Sequence, residues 1–291
     1  MESRDFFHAI PVCSFQEFFY MKQKDENNRF LQEFKELTDV GNDQSKKAAE
    51  TPANAMKNRY AHILPYDHSR VKLSLIDGNL DSLYINANYI PVLCDQYWPA
   101  DTDSYGHFAV HKVSELPSKD WTIRHFTIQK INNADTSVRS VCQLHYRAWP
   151  DRGVPLSPAS LITFVELVRE QLQAAKDSTP TVLHCSAGVG RTGTFIALDV
   201  ALQQLRARHY LDIFHTVHQM RLNRYLMLQT VEQYIFVHYC IIEKIVQMEA
   251  PHTFAKPTIT RNASAPGIAP GKCCRIKRSP EEKSVAKSTA D

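Results

Sequence analysis

Strands interleaved with amphipathic helices predict an α/β or α+β domain over residues 1–249, followed by a polar tail. Three observations lead there. Apolar residues alternate over Leu83–Ile90, Trp121–Gln129 and Val138–Tyr146, the period of strands. They recur at helical spacing after Ser157-Pro158, Arg191 and Thr230. With 43% hydrophobic and 22% charged residues, a chain of 291 can also bury a sizeable core.

Taken in order, Ser14-Phe15-Gln16-Glu17 has capping-box spacing, so a helix is expected from Phe15. Residues 42–54 are polar and read as a solvated linker. Asn132-Asn133 marks a turn between the second and third strands. Residues 149–155 form a loop punctuated by Pro150, Gly153 and Pro155. Ser157 then caps a helix with Pro158 at its first position, carrying Leu161, Phe164, Val165, Val168 and Leu172 on one face. Thr181-Val182-Leu183-His184 is expected to be a short buried strand. The helix from Arg191 carries Phe195, Leu198, Leu202 and Leu205. The last, about Thr230 to Met248, is apolar on most sides and should be core. Residues 250–291 are rich in Pro, Ala, Ser, Lys and Gly and are expected to be a disordered basic tail.

A formal net charge of +3 is too mild to argue for nucleic acid, which calls for a basic stripe. Seven cysteines, an odd number with no framework spacing, point to reduced thiols and a cytoplasmic setting. Neither a signal peptide nor an apolar run of bilayer length is visible, so no direct membrane insertion is expected. No cofactor or metal is expected either; His209, His215 and His218 lack convincing ligand company.

The chemistry concentrates in His184-Cys185-Ser186-Ala187-Gly188-Val189-Gly190-Arg191-Thr192-Gly193, between an expected strand and an expected helix start. A glycine-rich loop there turns backbone N–H groups inward, and the helix end adds partial positive charge. Such a pocket suits a phosphate dianion, and the planar fork of Arg191 can grip two of its oxygens. The same field favours the thiolate of Cys185, the nucleophilic form. A bare Cys-x5-Arg spacing is weak, and a buried strand-end thiol is the plain alternative; three glycines, the preceding His and the following Thr-Gly make the functional reading specific.

This loop resembles the phosphate-binding loop of the protein tyrosine phosphatase family. Lys57-Asn58-Arg59-Tyr60, Leu64-Pro65-Tyr66-Asp67 and Ser69-Arg70-Val71 resemble its phosphotyrosine-recognition segment, continued by Tyr84–Ile90. Gln96-Tyr97-Trp98-Pro99, Trp149-Pro150-Asp151 and Gln229-Thr230 with Gln233 match later family blocks. The wording is closest to receptor-type members with a single catalytic domain, over roughly residues 10–248.

The resemblance implies a twisted mixed β-sheet flanked by helices, and hydrolysis of phosphotyrosine in proteins through a cysteinyl-phosphate intermediate. It implies Cys185 as nucleophile, Asp151 as general acid then base on a loop opened by Trp149, and Gln229 positioning water with help from Gln233. Tyr60 would stack on the substrate ring; Ser186, Ala187, Gly188, Val189, Gly190 and Arg191 would hold phosphate; His184 and Thr192 would tune the thiolate by hydrogen bonds. Taken alone, Tyr60 is compatible with ordinary core, and Gln229 with Gln233 with a solvated helix face. The partners implied are phosphotyrosine-containing proteins, in the cytoplasm or beneath a single-pass receptor.

Between Pro91 and Cys94 the pattern breaks. Only Val92 and Leu93 stand where related domains carry several dozen residues, including a helix and a strand of the central sheet. Part of that sheet is therefore expected to be missing, together with the acidic residue that orients Arg191 and a lysine that helps place the acid loop. A catalytically impaired form that binds phosphotyrosine or a partner without turnover is the alternative. His62 stands where the family has an acidic or amide side chain, and Arg152 follows Asp151 unusually. The Asn262-Ala263-Ser264 sequon and the basic Cys273-Cys274 patch are read as a plain tail.

Overall fold

The computed structural model describes residues 8–88, 97–131, 137–151, 153–174, 181–207 and 210–249. Its strands are β1 (Ile10–Pro11), β2 (Arg70–Lys72), β3 (Tyr84–Asn88), β4 (Thr102–Tyr105), β5 (Phe108–Pro117), β6 (Trp121–Lys130), β7 (Val138–Tyr146) and β8 (Tyr210–Leu211). Its helices are α1 (Phe15–Glu36), α2 (Lys47–Glu50), α3 (Pro52–Ala55), α4 (Pro158–Ala174), α5 (Gly190–Ala207), α6 (Ile213–Asn223) and α7 (Val231–Glu249).

The core is helical. α7 lies against α1, α4 and α5, and its Val237, Cys240 and Ile241 have no solvent exposure. Leu161 and Val165 of α4 and Leu198 and Ala201 of α5 complete the seam, as their spacing predicts. On α7, Tyr239 and Val246, expected in the core, face solvent instead. α1 is broken at Lys24–Asn27, where Asp25, Glu26 and Asn27 all take positive φ. Across that break Lys22 pairs with Glu33, which also accepts from the Tyr234 hydroxyl of α7.

β4–β7 form a four-stranded antiparallel sheet in sequence order. Trp121 and Tyr146 pack on Phe164 of α4, with centroids 5.9 and 5.1 Å apart. β2 pairs with β3, and β1 with β8, also antiparallel. Among the described residues every strand pair is thus antiparallel, in three separate sheets rather than one mixed sheet.

The largest difference from the sequence reading is at residues 181–184, which form no strand. Among the described residues Thr181, Val182 and Leu183 make no backbone hydrogen bond to another segment, and Val182 is 70% exposed. A strand exists through its neighbour; an extended segment without one is only extended backbone.

Residues 42–54 are no free linker. Asp67 accepts from Ser45 Oγ and from the N–H groups of Lys47 and Ala48, which folds the stretch into α2 and α3 and buries Ala49 and Asn54. The expected turn at Asn132-Asn133, the bridge Pro91–Cys94, Gln96, Arg152, His209 and the tail 250–291 lie outside the described residues.

Candidate active site

The loop expected to hold phosphate runs from Cys185 into α5, whose first residue is Gly190. Gly188 has φ +64°, a conformation open to glycine, and its N–H points at Cys185 Sγ, 3.2 Å away. Beyond the loop the contacts close tightly. The Val189 carbonyl accepts from Leu228 N–H at 2.9 Å and from Gly193 N–H at 2.9 Å. A Cβ on Gly193 would fall 2.1 Å from the Leu228 nitrogen, so only glycine lets α5 lie this close to residues 226–230, the glutamine loop around Gln229.

The Trp149-Pro150-Asp151 loop, where the general acid is expected, is folded over Arg191. Its Nη2 donates to the Pro150 carbonyl at 3.1 Å and the Asp151 carbonyl at 3.5 Å. Trp149 Nε1 donates to the Gly153 carbonyl at 3.1 Å, and its ring meets Phe236 edge-on. The loop is thereby closed on itself and anchored to α7.

An open pocket of about 470 Å³ results, lined by Tyr60, Trp149, Asp151, Cys185, Ser186, Ala187, Gly190, Arg191, Gln229 and Gln233 among the expected residues. His62, Ile63 and Thr230 line it too. The Tyr60 hydroxyl lies 2.9 Å from Ser186 Oγ, and the Arg59 guanidinium sits 5.5 Å from the Tyr60 ring centroid. Among the described lining residues Asp151 is the only carboxylate, and Arg191 supplies a permanent cation beside it.

Two expected roles look different in the geometry. Gln233 Oε1 accepts from the N–H groups of Gln229 at 2.9 Å and Thr230 at 3.4 Å, while Thr230 Oγ1 accepts from Gln233 N–H at 3.3 Å. That is a reciprocal cap on α7, so Gln233 fixes the backbone from which Gln229 projects. Among the described residues the buried Thr192 hydroxyl has no hydrogen-bond partner, so it does not bond the sulfur as expected. His184 meets the Tyr97 hydroxyl at 2.8 Å, which in turn accepts from Gln143 Nε2 at 3.2 Å. Burial pulls the His184 pKa down, against a backbone hydrogen bond at Cys185, so its imidazole is neutral at neutral pH.

Sequence reasoning missed Arg221 and Arg224. Arg221 donates to the carbonyls of Leu37 (2.6 Å), Met227 (3.1 Å) and Leu228 (2.9 Å), tying α1 to the glutamine loop. Leu226 and Leu228 there hold positive φ, 58° and 59°, strained for leucine and fixed by these bonds. Two arginines three residues apart among apolar neighbours, just before Gln229, were the available signal.

A family model described as protein-tyrosine phosphatase matches residues 54–93 and 91–243. The chain is 41% identical to receptor-type tyrosine-protein phosphatase V of Rattus norvegicus, over 82% of this chain and 16% of the relative. It is 35% identical to receptor-type tyrosine-protein phosphatase H of Homo sapiens, over 88% of this chain and 28% of that protein. A third, phosphatidylinositol phosphatase PTPRQ of Homo sapiens, is 36% identical over 75% of this chain and 11% of its own length. The chain belongs to the protein-tyrosine phosphatase family. It spans less than a third of the length of these relatives. The rat alignment has 285 positions but covers 82% of 291 residues, about 239, so about 46 positions face no residue here. No described helix is long and apolar enough to cross a membrane.

Proposed function

We propose that this chain hydrolyses phosphotyrosine in proteins through a cysteinyl-phosphate intermediate. One observation carries the reading: Tyr60, Asp151, Cys185, Arg191 and Gln229, from four separate stretches of sequence, line a single pocket. Cys185 Sγ attacks phosphorus as the phenolic P–O bond breaks, and the Asp151 carboxyl gives its proton to the leaving oxygen. A water placed by Gln229 then attacks phosphorus, Asp151 takes its proton, and the S–P bond breaks to return the thiolate and release phosphate. Arg191 and the loop amides carry the transferring oxyanions, so the charge stabilisation comes from the chain's own groups. Tyr60 stacks on the substrate ring and sets a depth that phosphoserine does not reach. The catalytic unit is residues 1–249, acting in the cytoplasm on phosphotyrosine-containing proteins, with 250–291 as a basic tail.

A second reading, binding without turnover, is favoured by the unpaired approach at residues 181–183 and by the partnerless Thr192 hydroxyl. We place the internal deletion between Pro91 and Cys94, where the two family-model segments meet. Phosphate release from a phosphotyrosyl peptide decides between them, with Cys185→Ser as the inactive control. Turnover is expected, with Asp151→Asn slower by about 10²–10⁴-fold. A folded protein that binds the peptide and releases nothing would establish the second reading. Equal rates on phosphoserine peptide or a phosphoinositide would overturn the specificity for phosphotyrosine.

A further inference from the structure

Arg224 comes directly after α6 and has no solvent exposure. Its Nη1 donates to Asn88 Oδ1 at 2.5 Å and Asn86 Oδ1 at 3.4 Å. Its Nη2 donates to Asn86 Oδ1 at 3.3 Å and to the Ala187 carbonyl at 3.3 Å. The asparagines are themselves held: Asn88 Nδ2 donates to Ser69 Oγ and the Asn223 carbonyl, Asn86 Nδ2 to Asn58 Oδ1 and the Ile63 carbonyl. No carboxylate among the described residues pairs with this guanidinium. Burial draws its pKa down to about 10, opposed by Cys185, Tyr84 and Tyr66, so it stays charged at neutral pH.

A buried cation without a counter-ion is costly, and neutral amides hold it without cancelling its charge. Its grip on the loop is directional. The Ala187 carbonyl and the Gly188 N–H belong to one peptide unit, and in a trans unit the two point opposite ways. Drawing the carbonyl toward Arg224 therefore aims the N–H at Cys185 Sγ, the bond seen at 3.2 Å. Polarisation along such a chain strengthens both bonds.

We propose that Arg224 is a positioning residue that fixes the Ala187–Gly188 peptide with its N–H toward the nucleophile, and that its uncancelled charge awaits the thiolate and a bound oxyanion. This rests on reading the loop as a phosphate cradle. It gives the loop an anchor from behind that owes nothing to strand pairing at residues 181–183.

The test compares the whole chain with Arg224→Met and with Asn88→Asp, which sets a carboxylate on the guanidinium. The probes are orthovanadate binding by calorimetry and the Cys185 alkylation rate with iodoacetate relative to iodoacetamide. Thermal unfolding monitors the fold. Loss of packing alone would change both alkylating agents alike. The expected result is a fall of about tenfold in the iodoacetate-to-iodoacetamide ratio and in vanadate affinity for Arg224→Met. A smaller fall of the same sign is expected for Asn88→Asp. A folded variant that keeps the wild-type ratio overturns the inference. So does loss of folding in both, which would make Arg224 a packing residue. Arg224-dependent vanadate capture by a chain that releases no phosphate would uphold the inference while the catalytic reading falls.

Discussion

The Cys185 loop is entered through an open segment and left through a closed one. Before Cys185, Thr181, Val182 and Leu183 have no backbone partner among the described residues. After it, Val189 is fully buried, its carbonyl takes two N–H groups, and α5 presses Gly193 against Leu228. An isolated loop would lose its shape by fraying from the weaker end. Here side-chain bonds clamp that end, from Tyr97 to His184, Tyr60 to Ser186 and Arg224 to Ala187. Among the described residues, the start of α5 and these three clamps hold the loop, while Thr181, Val182 and Leu183 add no backbone bond to it.

Breaking the closed side should cost most. Gly193→Val would drive a branched side chain into the Leu228 backbone, which has no flexible end to give way. We expect a loss of about 4 kcal/mol or more, read as collapse of the urea midpoint, with vanadate binding lost. A midpoint near wild type would show that α5 and the glutamine loop separate freely, and the contrast would vanish.

The next effect is set by pH, in the same helical half. His238 lies on α7 among Phe15, Phe30 and Tyr234, with Lys22 and Glu33 nearby. Burial lowers its pKa from 6.5 to about 4, Lys22 adding to the fall. The unfolded chain takes up this proton near pH 6.5 and the folded one refuses it until about 4. Stability from this group is thus complete above 6.5 and drains as pH falls toward 4, by roughly 3 kcal/mol at the limit. Glu33, whose pKa burial raises but Lys22, the Tyr234 hydroxyl and His238 together more than offset, adds a loss of the same sign at lower pH. Urea titrations of His238→Phe should stay flat from pH 6.5 to 5 while the wild type weakens. Parallel slopes would place the acid sensitivity elsewhere.

An element was legible in advance where its own few residues specify it. The sequence pattern of a capping box occurs at Ser14–Glu17 and at Thr230–Gln233, and only the second forms. Ser14 ends a 3₁₀ turn, Val12–Ser14, that runs into α1, so its backbone is already helical and its side chain caps nothing. α6 was legible but unread: Ile213, Val217 and Met220 fall on one buried face, and Asp212 caps it by accepting from His215 N–H at 2.8 Å. β5 was hidden because the register shifts between Lys112 and Ser114, which breaks its alternation. The pocket's lining residues Tyr60, Asp151, Cys185, Arg191 and Gln229 were legible because each sits in a short motif. Arg224 was not, because its role depends on Asn86, Asn88 and Ala187, distant in sequence and silent about one another.

The smallest effect is expected on the open side, and it tests the contrast most directly. In a buried, paired strand Val182→Thr would set a hydroxyl against apolar neighbours and cost of order 1–2 kcal/mol. At 70% exposure, with no ladder to disturb, the same change should move stability by less than about 0.5 kcal/mol and leave vanadate affinity unaltered. The urea midpoint of Val182→Thr is the measurement. A loss above about 1 kcal/mol would mean that residues 181–183 are covered in solution, and that the loop is held from both ends after all.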